Sequence, residues 1–380
     1  MSKPIIAVTL GDPAGVGPEI LVRALADPRV DQAVRCLVYG DARVVEKALR
    51  EARLRLAVRA IHRGDEARYA PGSIEVIDFA NADPAVFVPG QVQARCGQAA
   101  WDYIEAAVQA ALRGEVAALD TAPINKEAIQ AAGVPFIGHT EMLAALTGAH
   151  DPLTMFETLG LRVFFLSRHV SLRDSCALVT RARLLDYIAR CHQAMDQLGL
   201  GGGELAVAGL NPHCGEHGLF GDEEVREVAP AVAEAQARGL RVAGPIGPDS
   251  VFHQAKTGRY AAVLSLYHDQ GHIATKTLDF ERTISLTLGL PFLRLSVDHG
   301  TAFDIAWQGT ASPVGMIESL LVAARYAPAY RRTQRPAWLP VAPDSAAALP
   351  QRSGRDPGGP SSSGMGMADV PVMAVSPEEP

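Results

Sequence analysis

Short apolar runs alternate along the chain with longer stretches in which apolar residues recur at helical spacing. The short runs are rich in β-branched residues, and several end at Gly, Pro or Asn, as buried strands do at a turn. The expected strands are residues 5–10, 35–39, 74–79, 117–120, 163–167, 177–180, 205–210, 261–266 and 292–297. The expected helices are residues 18–26, 42–52, 98–113, 183–198 and 223–238. This alternation predicts an α/β fold with mostly parallel strands.

The C-terminal end lacks this periodicity. From Pro328 onward the chain holds ten of its 26 prolines, together with a run of Ser, Gly and Met. We therefore expect a catalytic region over residues 1–325 and a disordered tail over residues 335–380. The total of 380 residues suits two domains or one large α/β unit.

Composition narrows the class of protein. The formal net charge is −7 and no basic run is present, so we expect no nucleic-acid partner. No apolar run is long enough to span a membrane, and the N-terminus lacks the apolar core of a signal peptide. The five cysteines show no paired spacing, which is typical of reduced thiols. We predict a cytoplasmic protein without membrane association.

Three histidines occupy similar settings near strand ends. His213 and His268 directly follow predicted strands, and His169 lies just beyond another. The glycine-rich surroundings of His213, residues 211–218, are typical of a loop that exposes a side chain. In α/β sheets, ligands bind beyond the carboxyl ends of the strands. Three neutral imidazoles would make a good first shell for a divalent ion, with Asp249, Asp269 and Asp298 as candidates to orient them. The alternative for each histidine is an ordinary hydrogen-bonded side chain at a strand end.

A second group of residues could hold an anion. Lys276, Arg282 and Arg294 cluster in residues 267–304, and Arg294 lies inside the apolar run 290–297. A buried arginine is costly unless it is paired, so it meets either a ligand anion or a protein carboxylate. His139 and Thr140, with Lys126, could likewise hold a phosphate or carboxylate. Alternatively, Thr140 is the N-cap of a helix over residues 141–146.

The segment 11–19 is rich in glycine and follows the first predicted strand. Ile20 stands where a dinucleotide-binding fingerprint would need its third glycine, so that motif is absent. The segment could bring backbone N–H groups to an anion at a helix N-terminus, or it could be a tight strand-to-helix turn. The sequence leaves both readings open.

Taken together, these segments resemble the 4-hydroxythreonine-4-phosphate dehydrogenase family of vitamin B6 biosynthesis. The matching parts are residues 11–19, 138–141, 210–216, 249–252, 267–271 with Lys276, and 287–304, in the family's order. The resemblance implies two α/β/α lobes around a cleft, as in isocitrate and isopropylmalate dehydrogenases. It also implies a homodimer with the active site at the subunit interface.

The resemblance also implies roles for particular residues. The expected metal ligands are His169, His213 and His268. The expected substrate-binding residues are His139, Thr140, Lys276, Ser285 and Arg294, and Lys276 or Asp249 would move the proton. Ser285 replaces an asparagine that the family usually has. The segment 271–276 is more similar to the branch that oxidises 4-phosphorylated threonate or erythronate in sugar-acid catabolism.

The implied activity is an oxidation with decarboxylation of a 4-phosphorylated 3-hydroxy acid. It would use NAD, or NADP, and one divalent ion per subunit, with zinc, magnesium, manganese and cobalt as candidates. The substrate would be 4-hydroxythreonine 4-phosphate or, equally, D-threonate or D-erythronate 4-phosphate. The alternatives are a cis-dihydrodiol dehydrogenase of aromatic degradation, a metal-dependent hydrolase, and an inactive binding protein. No residue is assigned to the adenine end of NAD.

Overall fold

The computed structural model describes residues 3–330, and the predicted tail over residues 335–380 lies outside them. Strands and helices alternate through this range, which confirms the α/β class. The strands are β1 Ile5–Thr9, β2 Arg35–Gly40, β3 Ala57–Ile61, β4 Ser73–Asp78, β5 Ala118–Thr121, β6 Leu153–Thr158, β7 Leu161–Phe165, β8 Leu205–Ala208, β9 Val242–Ile246, β10 Ala262–Ser265, β11 Ile284–Leu288 and β12 Leu293–Val297.

The helices cover the sheet and connect its strands. They are α1 Gly17–Leu25, α2 Pro28–Ala33, α3 Ala42–Glu51, α4 Ala94–Leu112, α5 Lys126–Ala131, α6 His139–Thr147, α7 Leu172–Ala177, α8 Arg181–Gln197, α9 Ala229–Ala237, α10 Val251–Lys256, α11 His268–Leu278 and α12 Val314–Tyr326. Short 3-10 segments occupy Gly64–Glu66 and Pro212–His217, and a π-helical turn, Glu224–Val228, precedes α9. None of the helices in residues 3–330 is long and apolar enough to cross a membrane.

The described strands form one 12-stranded sheet in the order β3-β4-β2-β1-β5-β12-β11-β6-β7-β10-β8-β9. In this order, the first six strands are parallel to one another: β3, β4, β2, β1, β5 and β12. The last four strands are also parallel to one another: β7, β10, β8 and β9. Between these groups, the β12–β11, β11–β6 and β6–β7 pairs are antiparallel. The two parallel groups therefore run in opposite directions, and their carboxyl ends lie at opposite edges of the sheet.

Most predicted strands and helices lie within two or three residues of their observed positions, but one strand is wrong. Residues 177–180 were expected to be extended, whereas Ala177 ends α7. The cause is a favourable N-cap at Ser171. Its Oγ accepts a hydrogen bond from the Asp174 backbone N–H and donates one to the Asp174 carboxylate, which stabilises the first turn of α7. The pattern also missed the strands β3, β6, β9 and β11 and the helices α2, α5, α7, α10, α11 and α12.

Candidate active site

The three histidines follow three neighbouring parallel strands. His169, His268 and His213 come after β7, β10 and β8, which lie side by side in the sheet. Their expected position at one edge is confirmed. The ring centroids of His169 and His268 are 6.1 Å apart. Within residues 3–330, however, no group of three His, Cys, Asp or Glu side chains is close enough to hold a metal ion. One chain thus brings two of the expected ligands together, and the third remains a prediction.

The imidazole of His268 is oriented by its neighbour. Its Nδ1 lies 2.6 Å from Asp269 Oδ1. A carboxylate at Nδ1 favours the tautomer with the proton on that atom, which leaves the Nε2 lone pair for a metal. Burial lowers the pKa of His169, and the charges of Arg168, His268 and Lys126 lower it further. His169 is therefore neutral near pH 7, which is the form that binds metals.

His213 lies on a loop with unusual backbone geometry. The residues from His213 to His217 have positive φ angles, and His213 is exposed. The loop is anchored at its start because one carboxyl oxygen of buried Glu224 accepts the backbone N–H groups of Leu210 and Asn211, both at 2.7 Å. The Asn211 side chain donates to the other oxygen at 2.9 Å. The sequence prediction that this glycine-rich loop exposes a histidine is confirmed.

Asp249 belongs with this loop. Asp249 is exposed. Burial raises the pKa of the Cys214 thiol, next to His213, and the charges of Glu224 and Asp249 raise it further. Lys276, the other expected proton-transfer residue, instead contacts Asp298. One chain therefore presents two groups of expected site residues, one around His213 and Asp249, and one around His268 and Lys276.

Arg294 is buried without a carboxylate partner among the described residues. It is 5% exposed, and its guanidinium donates to Thr287 Oγ1 at 3.0 Å and to Thr121 Oγ1 at 2.6 Å. Its Nε has no hydrogen-bond partner within residues 3–330. Burial lowers the pKa of Arg294 to about 10, although the charge of Asp120 acts to raise it. The side chain therefore stays charged near pH 7. A buried cation with an unused donor is well suited to a ligand anion.

His139 lies next to this guanidinium. Burial lowers the pKa of His139 well below its usual value, and the charge of Arg294 lowers it further. Its Nε2 is buried and has no partner among the described residues. Helix α6 begins at His139 with Gly138 as its N-cap, so the alternative role of Thr140 as the N-cap is wrong. The helix N-terminus, a neutral imidazole and a guanidinium together favour an anion.

Ser285 shares a sheet face with Arg294. In the antiparallel β11–β12 pair, Ser285 is opposite Ser296, and Thr287 is opposite Arg294. Opposite residues and alternate residues of a strand point to the same side of the sheet. On its other side Ser285 pairs with Phe156 of β6. Ser285 is half-buried and lies two positions along β11 from Thr287, which accepts a hydrogen bond from the Arg294 guanidinium.

Lys276 forms an ion pair rather than standing free. Its Nζ lies 2.8 Å from Asp298 Oδ2, so Asp298, expected to orient a metal ligand, holds the lysine instead. Burial raises the pKa of Asp298, and Lys276 opposes that rise. Arg282 was grouped with these residues, but it pairs with Asp279 at 2.7 Å on the surface. Removing Arg282 from the anion site is a correction to the sequence prediction.

The glycine-rich segment 11–19 is a tight turn. All of its residues are buried. A Cβ on Gly11 would lie 2.4 Å from the Pro123 carbonyl oxygen, and one on Gly15 would lie 2.9 Å from Thr301 Cβ. The glycines thus allow close packing against other backbone segments. Because the protein itself fills this space, the anion-binding alternative is not supported.

The sequence reasoning gave no role to His272, which lies within this site. Its ring stacks on that of His268, with centroids 3.9 Å apart. The spacing of four residues could have revealed this contact, but only if α11 had been recognised as a helix. Lys276 lies a further four residues along, so one face of α11 carries all three side chains.

Comparison with known proteins identifies the family. The family model described as "Pyridoxal phosphate biosynthetic protein PdxA" matches residues 32–323. The chain belongs to the PdxA family. A relative from Symbiobacterium thermophilum, with the provisional name D-threonate 4-phosphate dehydrogenase, is 57% identical over 333 residues, which is 88% of this chain and 99% of the relative. The resemblance found in the sequence is thereby confirmed.

Solved structures agree with this family assignment. A 4-hydroxythreonine-4-phosphate dehydrogenase from Klebsiella pneumoniae is 44% identical, has a TM-score of 0.80, and is matched over 86% of this chain and 98% of its own. A terephthalate 1,2-cis-dihydrodiol dehydrogenase from Burkholderia xenovorans is 29% identical with a TM-score of 0.60, over 85% of this chain and 99% of its own. The similar proteins described here are all named as dehydrogenases, and this chain is an oxidoreductase.

Proposed function

We propose that this PdxA-family chain oxidises and decarboxylates D-threonate 4-phosphate, using NAD and a divalent metal ion. One observation carries the proposal: buried Arg294 has an unused donor and no carboxylate partner among the described residues, beside neutral His139. Such a site suits a phosphate or carboxylate. The relative with the D-threonate name is 57% identical, against 44% for the Klebsiella enzyme, which supports the sugar-acid substrate over 4-hydroxythreonine 4-phosphate.

We assign the substrate's anionic end to the α6 N-terminus. Arg294 and the hydroxyl of Thr140 would donate hydrogen bonds to the phosphate oxygens, and His139 would provide a further neutral donor. Ser285 lies on the same sheet face and would contact the sugar-acid chain. A serine is shorter than the asparagine usual in the family, so it leaves more room there.

The residues around His268 fit a metal ion. His169 is held neutral, and Asp269 leaves Nε2 of His268 available, so two imidazole donors lie close together. Imidazole binds zinc well, and open positions would remain for substrate oxygens. A divalent ion there would lower the pKa of the substrate's C3 hydroxyl, and NAD would accept the hydride from C3.

We assign proton transfer to Lys276. As the neutral amine, Lys276 would accept the C3 hydroxyl proton when the hydride passes from C3 to NAD, and Asp298 would hold the resulting ammonium group in place. The resulting β-keto acid loses CO2, and Lys276 returns the proton to the carbon that carried the carboxylate. For D-threonate 4-phosphate the product is dihydroxyacetone phosphate. Asp249, on the His213 loop, is the alternative proton carrier.

We further propose a homodimer in which the His213 loop of one chain completes the His169–His268 pair of the other. Apolar side chains are exposed in both groups: Leu219 is 71% exposed on the loop, and Ile273 and Phe280 are 64% and 65% exposed on and after α11. Exposed apolar clusters typically mark interaction surfaces. A shared site would also account for one chain assembling only two of three ligands.

Two broader expectations belong to the same proposal. The oppositely directed halves of the sheet would act as two lobes, with the substrate between them, as the resemblance to isocitrate dehydrogenases implies. We also place the enzyme in the cytoplasm, because its five cysteines, all within residues 3–330, form no disulfide.

An NAD-reduction assay tests the proposal. Purified protein, stripped of metal and then supplied with zinc, magnesium, manganese or cobalt, would receive D-threonate, D-erythronate or 4-hydroxythreonine as the 4-phosphate. We expect kcat/KM to be about tenfold or more higher for D-threonate 4-phosphate, a difference of about 1.4 kcal/mol. A preference for 4-hydroxythreonine 4-phosphate would reassign the substrate. Repeating the assay with NADP in place of NAD would show which of the two is reduced faster.

The same assay separates the other classes of activity. A hydrolase would release inorganic phosphate without NAD, and a binding protein would produce no turnover. Because the similar Burkholderia xenovorans protein is named as a dihydrodiol dehydrogenase, a cis-dihydrodiol should also be tested as a substrate without phosphate. Turnover of such a compound at the rate of the phosphorylated acids would contradict the role given to Arg294.

A further inference from the structure

His272 is enclosed by aromatic rings. The ring of His268 stacks on it with centroids 3.9 Å apart and planes inclined by 21°. The ring of Phe156 meets it edge-on at 4.4 Å, and that of Phe165 lies at 4.6 Å with a tilt of 33°. Contacts on several sides leave the His272 ring little freedom to turn.

The approach of α11 to the sheet depends on Gly271. A Cβ at this position would lie 2.5 Å from Phe165 Cε1 and 2.7 Å from Ser265 Oγ. No larger residue fits there, so the glycine lets the helix pack closely on β7 and β10. That close packing brings the next residue, His272, between the phenylalanine rings and His268.

Packing alone does not explain an imidazole at this position. The Nδ1 atom of His272 is buried and has no hydrogen-bond partner within residues 3–330. An unpaired buried nitrogen costs stability, whereas a leucine would fill the space without that cost, so the position retains a flat ring in spite of the unpaired nitrogen.

We propose that His272 is a positioning residue that fixes the ring plane of His268 and so directs its Nε2 toward the metal ion. The inference rests on the metal site of the proposed function. Asp269 holds the His268 ring at one atom, Nδ1, and a single hydrogen bond still allows the ring to tilt. The stacked His272 ring removes that tilt, because it covers one face of the imidazole. The two contacts therefore restrain His268 in different directions.

Metal affinity measured without substrate or NAD tests this role. Three variants of the full chain would be titrated with zinc by calorimetry: His272→Phe, which keeps a flat ring, and His272→Leu and His272→Met, which do not. We expect the zinc dissociation constant to rise about tenfold or more in the non-planar variants, as for other residues that orient a metal ligand. We expect the phenylalanine variant to stay within about threefold of wild type.

The controls separate positioning from folding. His62→Leu changes an exposed histidine after the edge strand β3 and should leave zinc affinity unchanged. Thermal melting of the metal-free proteins would identify a variant that fails to fold, and the methionine variant then replaces the leucine one. The visible spectrum of the cobalt form should change in the non-planar variants, because the ligand field depends on the His268 orientation.

Three outcomes overturn the inference. Wild-type affinity in the leucine and methionine variants would show that the ring plane does not matter. An equal loss in the phenylalanine variant would show that a nitrogen of His272, not its flat ring, is needed. Absence of zinc binding in the wild type would remove the inference together with the proposed metal site, whereas the first two outcomes leave that site intact.

Discussion

The ammonium group of Lys276 lies 2.8 Å from the Asp298 carboxylate and thereby ties the last turn of α11 to the residue after β12. This contact is possible because the two parallel groups of strands run in opposite directions. Helix α11 leaves the carboxyl end of β10 at His268 and returns along the sheet toward the carboxyl end of β12. One helix thus connects a candidate metal ligand to a candidate proton carrier.

Replacing Lys276 with methionine should lower kcat by about 100- to 10,000-fold, because a positioned proton carrier contributes about that much. The loss of the cation should also raise the pKa of Asp298 further, since burial already raises it and Lys276 opposes that rise. NAD reduction at saturating substrate measures kcat. Lys256→Met is the matched control, because Lys256 Nζ donates to the Leu159 carbonyl on the surface. An unchanged kcat in Lys276→Met would remove the lysine from the reaction.

Arg294→Ala should raise KM for the phosphorylated substrate by about 10- to 100-fold, because hydrogen bonds to charged groups contribute about 1.5–3 kcal/mol. Initial rates over a range of substrate concentrations measure KM. Arg282→Ala, at a surface ion pair with Asp279, should leave KM unchanged. An analogue without the phosphate provides the second control. If the KM for this analogue rises as much as the KM for the phosphorylated substrate, Arg294 does not bind the phosphate.

Asp120 should make stability depend on pH. Burial raises its pKa from 3.8 to about 6, with Ser319 and Arg294 opposing. The folded state therefore favours the protonated carboxyl. This contribution is complete below about pH 4 and is lost as the pH rises through about 6, with a total of roughly 3 kcal/mol. Urea unfolding of wild type and Asp120→Asn between pH 4 and 7.5 measures it.

The difference between the two proteins isolates Asp120 from other titrating groups. Relative to wild type, Asp120→Asn should gain free energy of unfolding as the pH rises across this range, because the amide cannot ionise. A difference that is the same at every pH would show that the carboxyl titrates alike in both states. Asp102→Asn, at a half-buried position of α4, is the control.

The sequence predicted those parts of the site that follow from local pattern. His169, His213 and His268 each come after a strong apolar run, and the strand order then places them at one edge. The glycine-rich setting of His213 also indicated an exposed loop, as observed. Arg294 stood out because a cation inside an apolar run needs a partner. Each of these inferences depends on a few neighbouring residues.

The missed parts depend on long-range packing. Helix α11 contains Gly271 and several β-branched residues, which are poor helix formers, and it is stabilised by its packing on β6, β7 and β10. Strand β11 is only five residues long, and one of its two antiparallel partners, β6, is distant in sequence. Without these two elements, neither the His268–His272 stack nor the position of Ser285 could be predicted.

Ser285→Asn should shift the enzyme toward 4-hydroxythreonine 4-phosphate. The larger amide would occupy the space beside Arg294 on the same sheet face and offer both a donor and an acceptor to the substrate's amino group. We expect the ratio of kcat/KM for the two substrates to change by about tenfold, a typical effect of one hydrogen bond. Ser73→Asn, at a half-buried serine that begins β4 far from β11 in the sheet, is the control. An unchanged ratio would show that Ser285 does not select the substrate.

Mixing two inactive variants tests whether the site is shared between subunits. His213→Ala and His268→Ala should each lose activity. Co-refolded, they should form mixed dimers in which one site takes its intact His169–His268 pair from the first chain and its intact His213 from the second. Half of the dimers would be mixed and each would hold one working site, so about one quarter of wild-type activity should return. NAD reduction in the mixture measures it.

A second mixture makes this result specific. His169→Ala and His268→Ala both damage the same group, so every site in their mixed dimers lacks a ligand and no activity should return. The distance of 6.1 Å between the rings of His169 and His268 places them in one group within a chain. If the first mixture stays inactive while each variant still folds and dimerises, the three ligands must come together within one chain. That would require the His213 loop to move toward His268 when metal binds.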